Sequence, residues 1–440
     1  MKLGVISLGC DKATVDSEHL VARLVGHGAE VTPALDAADV ILVNTCGFID
    51  AAKRESIEAL LEAGRLKREG RCRAVIAVGC LVARYGEELR GELPEVDYFF
   101  GFKDLPRLVP RLVRDGLLDA RDAGHPGVRH YLGRSPHVRY LKISEGCDHT
   151  CAFCAIPLMR GGHRTRPLEE LVREAVELER AGAREINLVA QDLGHYGRDV
   201  PGAPRLPALL RALLGATAVP WLRCLYVYSA GITPELVEVL ATEPRVVPYL
   251  DMPIQHATER MLTAMRRPER PDTIRAKVRA LREAIPDLAL RTTVLVGFPG
   301  ETDADHRALV EFLDEIQFDR VGAFAYSEQE GTRAAQLPDD VPDATKQERL
   351  AEVLELQRAI SAERLQRLVG REVDVLVDGP DEVDSAAMAG RTMWQADDVD
   401  GCTYLRNGRG GAGGAAVPGG FVRARVTGSL DYDLIAEAAP

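Results

Sequence analysis

The stretch "EGCDHTCAFCAIPLMRG", residues 145–161, sets Cys147, Cys151 and Cys154 in a CxxxCxxC array. A closed tetrahedral metal site wants four ligands, and a zinc site could recruit His149 or His163 as the fourth. Three thiolates alone suit a cubane 4Fe-4S cluster, in which three irons are held and the fourth stays open to a small molecule. The array directly follows a strand candidate, "RYLKIS" (139–144). Five more follow it: "EINLVAQ" (185–191), "LRCLYVYS" (222–229), "VPYLDMPI" (247–254), "LRTTVLVGF" (290–298) and "RVGAFAYS" (320–327). Between them lie amphipathic helical stretches such as "LEELVREAVELERAG" (168–182) and "DADHRALVEFLDEI" (303–316). Six such units predict a partial (β/α)6 barrel, and in βα barrels the chemistry sits on the loops after the strands, where this array lies.

Upstream, a second α/β pattern fills the first hundred residues. Strand candidates "LGVISLG" (3–9), "DVILVNT" (39–45) and "RAVIAVG" (73–79) alternate with "DSEHLVARLVGHG" (16–28) and "ESIEALLEAGRLKREG" (55–70). The first helix is expected to be capped at Asp16 or Ser17 and stopped at Gly28. The pattern predicts a small doubly wound parallel sheet. Each strand runs into a cysteine: Cys10, Cys46 and Cys80. One such residue is best read as a small buried hydrophobe, and Cys72, Cys224 and Cys402 are read that way. Three at equivalent ends of parallel strands converge on one edge of the sheet, so a second thiolate site is the better reading.

From about residue 102 the alternation fades, and a linker is placed at 116–136. The domains are therefore 1–115, 137–366 and 367–440. In the last, "REVDVLVDG" (371–379), "AAMAGRTMWQADDVDG" (386–401) and "GGFVRARVTGSLDYDLIAEA" (419–438) read as short strands of a small antiparallel β-barrel. "GRGGAGGAAVPGG" (408–420) reads as a flexible loop within it.

The 440 residues are 46% apolar, enough to bury several cores, and carry a formal charge of −12. That charge disfavours general attraction to nucleic-acid backbone or anionic membrane. The start, "MKLGVISLGC", suits a buried strand better than a secretory leader, and no stretch reaches membrane-spanning length. Nine cysteines, an odd number spread over a long chain, argue for metal or redox chemistry in a reducing cytoplasm rather than a disulfide framework.

These residues carry a resemblance. CxxxCxxC after the first strand of a partial βα barrel resembles the radical S-adenosylmethionine (AdoMet) superfamily. The resemblance implies that the open iron chelates AdoMet and that an electron from the cluster cleaves it to a 5′-deoxyadenosyl radical. It also places Phe153 near the adenine, Asp192 of "VAQD" at the amino-group contact, and Gly297 and Gly300 of "VGFPGE" (296–301) against the nucleoside. The second triad narrows the resemblance to the methylthiotransferases, on "LGCDKATVDSE" (8–18), "NTCGFIDAA" (44–52), "GCDHTCAFCAIPLMRG" (146–161) and "LDMPIQHA" (250–257). It implies two 4Fe-4S clusters and two AdoMet, with the Cys10, Cys46 and Cys80 cluster holding the sulfur to be transferred. A low-potential electron donor and a sulfur source are implied as partners, and the C-terminal barrel corresponds to a TRAM domain.

Met159 in "CAIPLMRG" resembles the branch that modifies the β-carbon of an aspartate in ribosomal protein S-twelve. The sister branch acts on an adenosine of transfer RNA and stands as the alternative. Asp11 and Ala13 occupy positions where the protein-modifying branch usually has proline and asparagine. From Arg371 onward, twelve acidic residues face six arginines, which suits a basic ribosomal protein better than RNA. Asp397, Asp398 and Asp400 are the expected docking cluster. An iron–sulfur electron carrier would have no use for two open irons or a βα barrel, and a zinc-stabilised nucleic-acid adaptor fits the acidic balance poorly.

Overall fold

The computed structural model describes residues 1–125, 127–133, 135–381, 387–406 and 416–439. Most of the predicted flexible loop, 408–415, lies outside these residues.

The N-terminal unit runs β1 (Lys2–Ser7), α1 (Asp11–Gly26), β2 (Glu30–Val31), β3 (Val40–Thr45), α2 (Asp50–Glu69), β4 (Ala74–Gly79), α3 (Cys80–Glu92), β5 (Tyr98–Phe100) and α4 (Leu108–Arg114). Its five strands form one sheet in the order β2-β1-β3-β4-β5, all parallel. β3 and β4 are buried along their whole length because helices cover both faces. One face buries Leu20, Val21, Leu24 and Leu112, the other Leu60, Ala63, Leu81 and Leu89. α1 begins five residues before the expected Asp16 cap, directly after Cys10. Neither Asp16 nor Ser17 caps it: Asp16 pairs with Lys142 and Arg160 across the domain boundary, and the Ser17 hydroxyl bonds Ser7 and Asn44. Tertiary partners took the side chains that local propensity assigned to the cap.

The central unit runs β6 (Val138–Lys142), β7 (Ser144–Glu145), α5 (Ile156–Arg160), β8 (Arg164–Thr165), α6 (Leu168–Arg180), β9 (Glu185–Val189), α7 (Leu206–Ala216), β10 (Trp221–Cys224), α8 (Pro234–Thr242), β11 (Val246–Asp251), α9 (Glu259–Ala264), α10 (Pro271–Ala284), β12 (Ala289–Val296), α11 (Asp303–Ile316), β13 (Arg320–Ala325) and α12 (Asp343–Gln366). Six strands form an open parallel sheet, β13-β12-β11-β10-β9-β6, the expected partial barrel. Its helical face is the largest core in the protein, joining Leu171, Leu210, Val239, Ile274 and Phe312 to strand residues such as Ile186 and Leu290.

The C-terminal strands β14 (Glu372–Pro380), β15 (Met388–Arg391), β16 (Thr403–Arg406), β17 (Phe421–Ser429) and β18 (Leu434–Ala438) close into a barrel, β14-β15-β16-β18-β17. Four of its pairings are antiparallel, while β16 pairs parallel with β18. This barrel packs on the face of the central sheet away from the helices. Leu376, Ala396 and Phe421 meet Trp221, Leu225 and Tyr249 there, and Trp221 and Phe421 contact edge to face at 4.9 Å. At the same seam Glu185 is fully buried between Arg223 (2.7 Å) and Arg391 (2.6 Å).

The expected acidic docking cluster does not exist as a surface patch. The Asp397 carboxylate accepts a bond from the Tyr140 hydroxyl. Asp400 is buried, accepts the Ala396 N–H and faces Arg291 and Arg320. Only Asp398 is exposed. Two of the three charges hold the barrel on the sheet. Cys72 and Cys224 are buried as expected, whereas Cys402 is only half-buried. Among the described residues no helix is long and apolar enough to cross a membrane.

Candidate functional site

In the N-terminal sheet, Thr45 pairs with Gly79 and Ser7 with Asn44. Cys46 and Cys80 are thus the next residues on adjacent strands, and Cys10 follows the neighbouring strand by a short turn. The chain reverses into Cys80 through Gly79 at φ +101°, where a Cβ would lie 2.5 Å from the Thr45 carbonyl oxygen. A Cβ on Gly9 would lie 3.4 Å from the Cys46 sulfur, so the loops carrying Cys10 and Cys46 touch. Cys10 immediately precedes α1 and Cys80 opens α3, so two helix N-termini meet the triad and favour negative charge there. Cys46 is held by Ser56 of α2, whose hydroxyl accepts its N–H (2.9 Å) and donates to its carbonyl (3.0 Å). Ala13, one of the unusual positions, contributes its carbonyl as acceptor for Asn44.

Cys147, Cys151 and Cys154 lie between β7 and α5. Gly146, at φ +73°, lets the loop pass where a Cβ would come within 2.6 Å of the Gly161 carbonyl. The loop is pinned by backbone bonds from Cys147 to Gly161 (3.1 Å), Ala152 to Met265 (2.9 Å) and Ala334 to Ala152 (2.9 Å). Phe153 packs with Met261, Met265, Phe298 and Tyr326, which brings it beside the glycine-rich turn after β12. Gly297 and Gly300 in that turn are both left-handed (φ +71° and +81°), and a Cβ on Gly297 would strike the Lys346 side chain. Glu301, from the same turn, accepts the N–H groups of Gly297 and Phe298.

Asp192 reaches the cysteine loop through His149. Its carboxylate bonds His149 Nε2 at 2.8 Å and accepts from Gly194 (2.9 Å) and Tyr228 (3.2 Å) backbone N–H groups. His149 stacks flat on Tyr228 at 4.2 Å. The Tyr228 hydroxyl is 3.5 Å from the Cys151 sulfur, and buried Arg267 donates to that sulfur at 3.8 Å while lying over the Tyr228 ring. The sequence alone does not point to Tyr228, after β10, or to Arg267, after α9, because an aromatic or an arginine in a loop reads as packing until its neighbours are known.

The donor sets fit three-cysteine cluster sites. His149 is engaged with Asp192, and His163 Nε2 faces Thr165 and Asp199, so each triad is a set of three thiols. Burial, reinforced by the neighbouring thiols, pushes Cys147 up to about 11 and Cys154 up to about 12. Burial also raises Cys46. Cys80 rises to about 11, through burial and the thiols of Cys10 and Cys46, against the pull of Arg160. Burial thus favours the neutral thiol at Cys46, Cys80, Cys147 and Cys154, and a bound cation would favour the thiolate there.

The triads belong to different domains, yet Cys80 packs directly on Ala155 and Met159 of the cysteine loop and α5. Arg160 fastens the contact. Its side chain is 1% exposed, it donates to Asp16 of α1 (2.9 Å) and Glu145 of β7 (2.8 Å), and it lies over the Phe102 ring. Lys142 pairs with the same two carboxylates. Burial would raise the Glu145 pKa, but Lys142 and Arg160 hold it down at about 2.

Family models match in three consecutive blocks: Uncharacterized protein family UPF0004 over residues 2–101, the Radical SAM superfamily over 141–313, and a TRAM domain over 369–439. A Geobacter sulfurreducens protein named ribosomal protein uS12 methylthiotransferase RimO is 45% identical over 99% of this chain and 98% of its own length. The chain belongs to the RimO family of methylthiotransferases. RimO proteins of Anaeromyxobacter sp. (strain K) and Symbiobacterium thermophilum are 45% and 43% identical, covering 98% and 100% of this chain and 91% of each relative. Membership makes the protein a radical AdoMet transferase, with an iron–sulfur cluster and AdoMet as cofactors. Among solved structures, the radical AdoMet methyltransferase TsrM of Kitasatospora setae aligns with a TM-score of 0.56 at 15% identity, covering 73% of this chain and 72% of its own, a likeness of fold.

Proposed function

We propose that the protein converts a C–H bond at the β-carbon of an aspartate in ribosomal protein uS12 to C–S–CH3. In this reading it carries two 4Fe-4S clusters, one on Cys147, Cys151 and Cys154 and one on Cys10, Cys46 and Cys80, and consumes two AdoMet. The observation that carries the reading is the packing of Cys80 on Ala155 and Met159, which sets the two thiol triads across one interface. A β-hydrogen beside a carboxylate is far too weak an acid for general-base removal near neutral pH. When bound, the cofactors would supply the reactivity, AdoMet the radical that removes the hydrogen and the cluster on Cys10, Cys46 and Cys80 the sulfur that joins the carbon.

The chain's own part is placement. Phe153 and the turn holding Gly297 and Gly300 form the wall on which the nucleoside of AdoMet would rest. Asp192 holds His149 and, through it, the loop of the first triad. Arg160, Lys142, Asp16 and Glu145 keep the second triad docked and water out of the contact. A cleft of about 880 Å³ opens between α1, β6 and the C-terminal barrel, lined by Asp11, Glu18, Asp378 and Asp398 beside Arg139 and Arg391. Its acidic balance suits a lysine- and arginine-rich substrate in the cytoplasm.

The RimO relatives give no support to the transfer-RNA alternative. A low-potential electron donor and a sulfur source complete the cycle. Anaerobically purified protein should be brown with about eight irons per chain, and should add methylthio mass to an aspartate of isolated uS12 by mass spectrometry. Four irons per chain, or modification of transfer RNA in place of uS12, would refute it.

A further inference from the structure

Three lysines are buried among the described residues: Lys12, Lys142 and Lys346. Lys142 pairs with Asp16 and Glu145, and Lys346 with Asp339 and Asp343. Lys12 has neither a hydrogen bond nor an ion pair with any described residue. It is 6% exposed, and its ammonium lies 3.6 Å over the face of the Tyr226 ring. An aromatic face offers a buried cation less than a carboxylate does, so a lysine left there without an anion is a charge waiting for a counter-charge.

Its position says where that counter-charge must come from. Lys12 is two residues from Cys10, in the first turn of α1, and leaves its own domain to reach the end of β10. Tyr226 is held in the left-handed region (φ +64°), with its N–H on buried Asp251, whose carboxylate is taken by Arg291. Two residues further on, Tyr228 reaches the Cys151 sulfur. Lys12 therefore joins the chain that carries Cys10 to the strand end whose next aromatic, Tyr228, contacts Cys151. Asp11, the nearest carboxylate along the chain, does not bond it, and the nearby side chains of Cys10 and Arg160 supply no carboxylate either.

We propose that Lys12, seated on Tyr226, is the carboxylate-binding subsite for the substrate: its ammonium pairs with the side-chain carboxylate of the residue to be modified and so fixes the adjacent β-carbon between the two clusters. This rests on the substrate reading above. Lys12 is a specificity and positioning residue, which also gives a reason for a protein-modifying enzyme to carry a buried cation here: an adenosine base has no carboxylate to offer it. The competing explanation is that Lys12 only balances the negative charge of a cluster on Cys10, Cys46 and Cys80.

The test is a double-mutant cycle on anaerobic holoenzyme, measuring the affinity of a synthetic uS12 peptide containing the target aspartate and of the same peptide with asparagine there. Wild type and Lys12→Met are compared, each assayed for iron. Wild type should bind the aspartate peptide roughly 30-fold more tightly than the asparagine peptide, about 2 kcal/mol. Lys12→Met should keep the wild-type iron content and bind both peptides equally, at the level of the asparagine peptide on wild type. If Lys12→Met still prefers aspartate by the wild-type ratio, or if its iron falls by half, the subsite is wrong and the lysine serves the fold or the cluster. If wild type binds neither peptide, it is the uS12 reading that fails.

Discussion

Replacing Arg160 with methionine tests the contact that joins the two halves of the site. The methionine keeps most of the apolar volume over Phe102 but removes the cation shared by Asp16 and Glu145. Glu145 is held at about 2 in the folded protein against an ordinary 4.5, with burial opposing and Lys142 and Arg160 enforcing the shift. The shift corresponds to on the order of 3 kcal/mol of stabilisation at neutral pH. Lys142 remains in the variant, so about half of this survives; the lost charge-assisted bond to Asp16 adds about 1.5 kcal/mol. The interface should therefore weaken by about 3 kcal/mol, a roughly 150-fold rise in its opening constant. Hydrogen exchange of anaerobic holoenzyme reads this directly: α1 and the segment from β7 to α5 should exchange faster by that factor, while β10 to β12 should not change. The ratio of 5′-deoxyadenosine formed to methylthiolated product should rise as the triads separate. The sign with pH is fixed: a depressed carboxyl pKa gives stability that is complete above about 4.5 and lost as pH falls towards 2, so wild type should approach the variant in acid. Unchanged exchange in α1 and α5 would show that Arg160 does not carry the interface.

Cys147→Ala, Cys151→Ala or Cys154→Ala should abolish AdoMet cleavage and reduce iron from about eight to about four per chain, checked by product chromatography and iron assay. Cys10→Ala, Cys46→Ala or Cys80→Ala should lose the same iron yet still form 5′-deoxyadenosine while making no methylthiolated uS12, which mass spectrometry of the same reaction resolves. Gly79→Ala forces a Cβ into a left-handed turn and against the Thr45 carbonyl; it should destabilise the N-terminal unit by about 2–4 kcal/mol in denaturant titrations and lower iron at the second triad without touching the first.

Both parallel sheets, the closing barrel, the strand-end cysteines 10, 46 and 80 and the CxxxCxxC loop are legible in the sequence, because each is a local pattern. An alternation of short β-rich runs with helical period repeats within tens of residues, and a cysteine following a parallel strand must emerge at the sheet edge whatever the rest of the chain does. The cap of α1 is not legible for the complementary reason: Asp16 has the right chemistry for a cap, and only the approach of Lys142 and Arg160, more than a hundred residues away, shows that it is spent elsewhere. The acidic cluster at 397–400 is ambiguous in the same way, since an aspartate that solvates a surface and one that bonds Tyr140 or Ala396 are the same letter. Docking of the domains decided the rest: Cys80 against Ala155, Arg160 between two carboxylates, and Lys12 alone on Tyr226. Burial of charge is a property of the assembled interior, where each cation is either answered by an anion or left for a ligand to answer, and no periodicity along the chain records which.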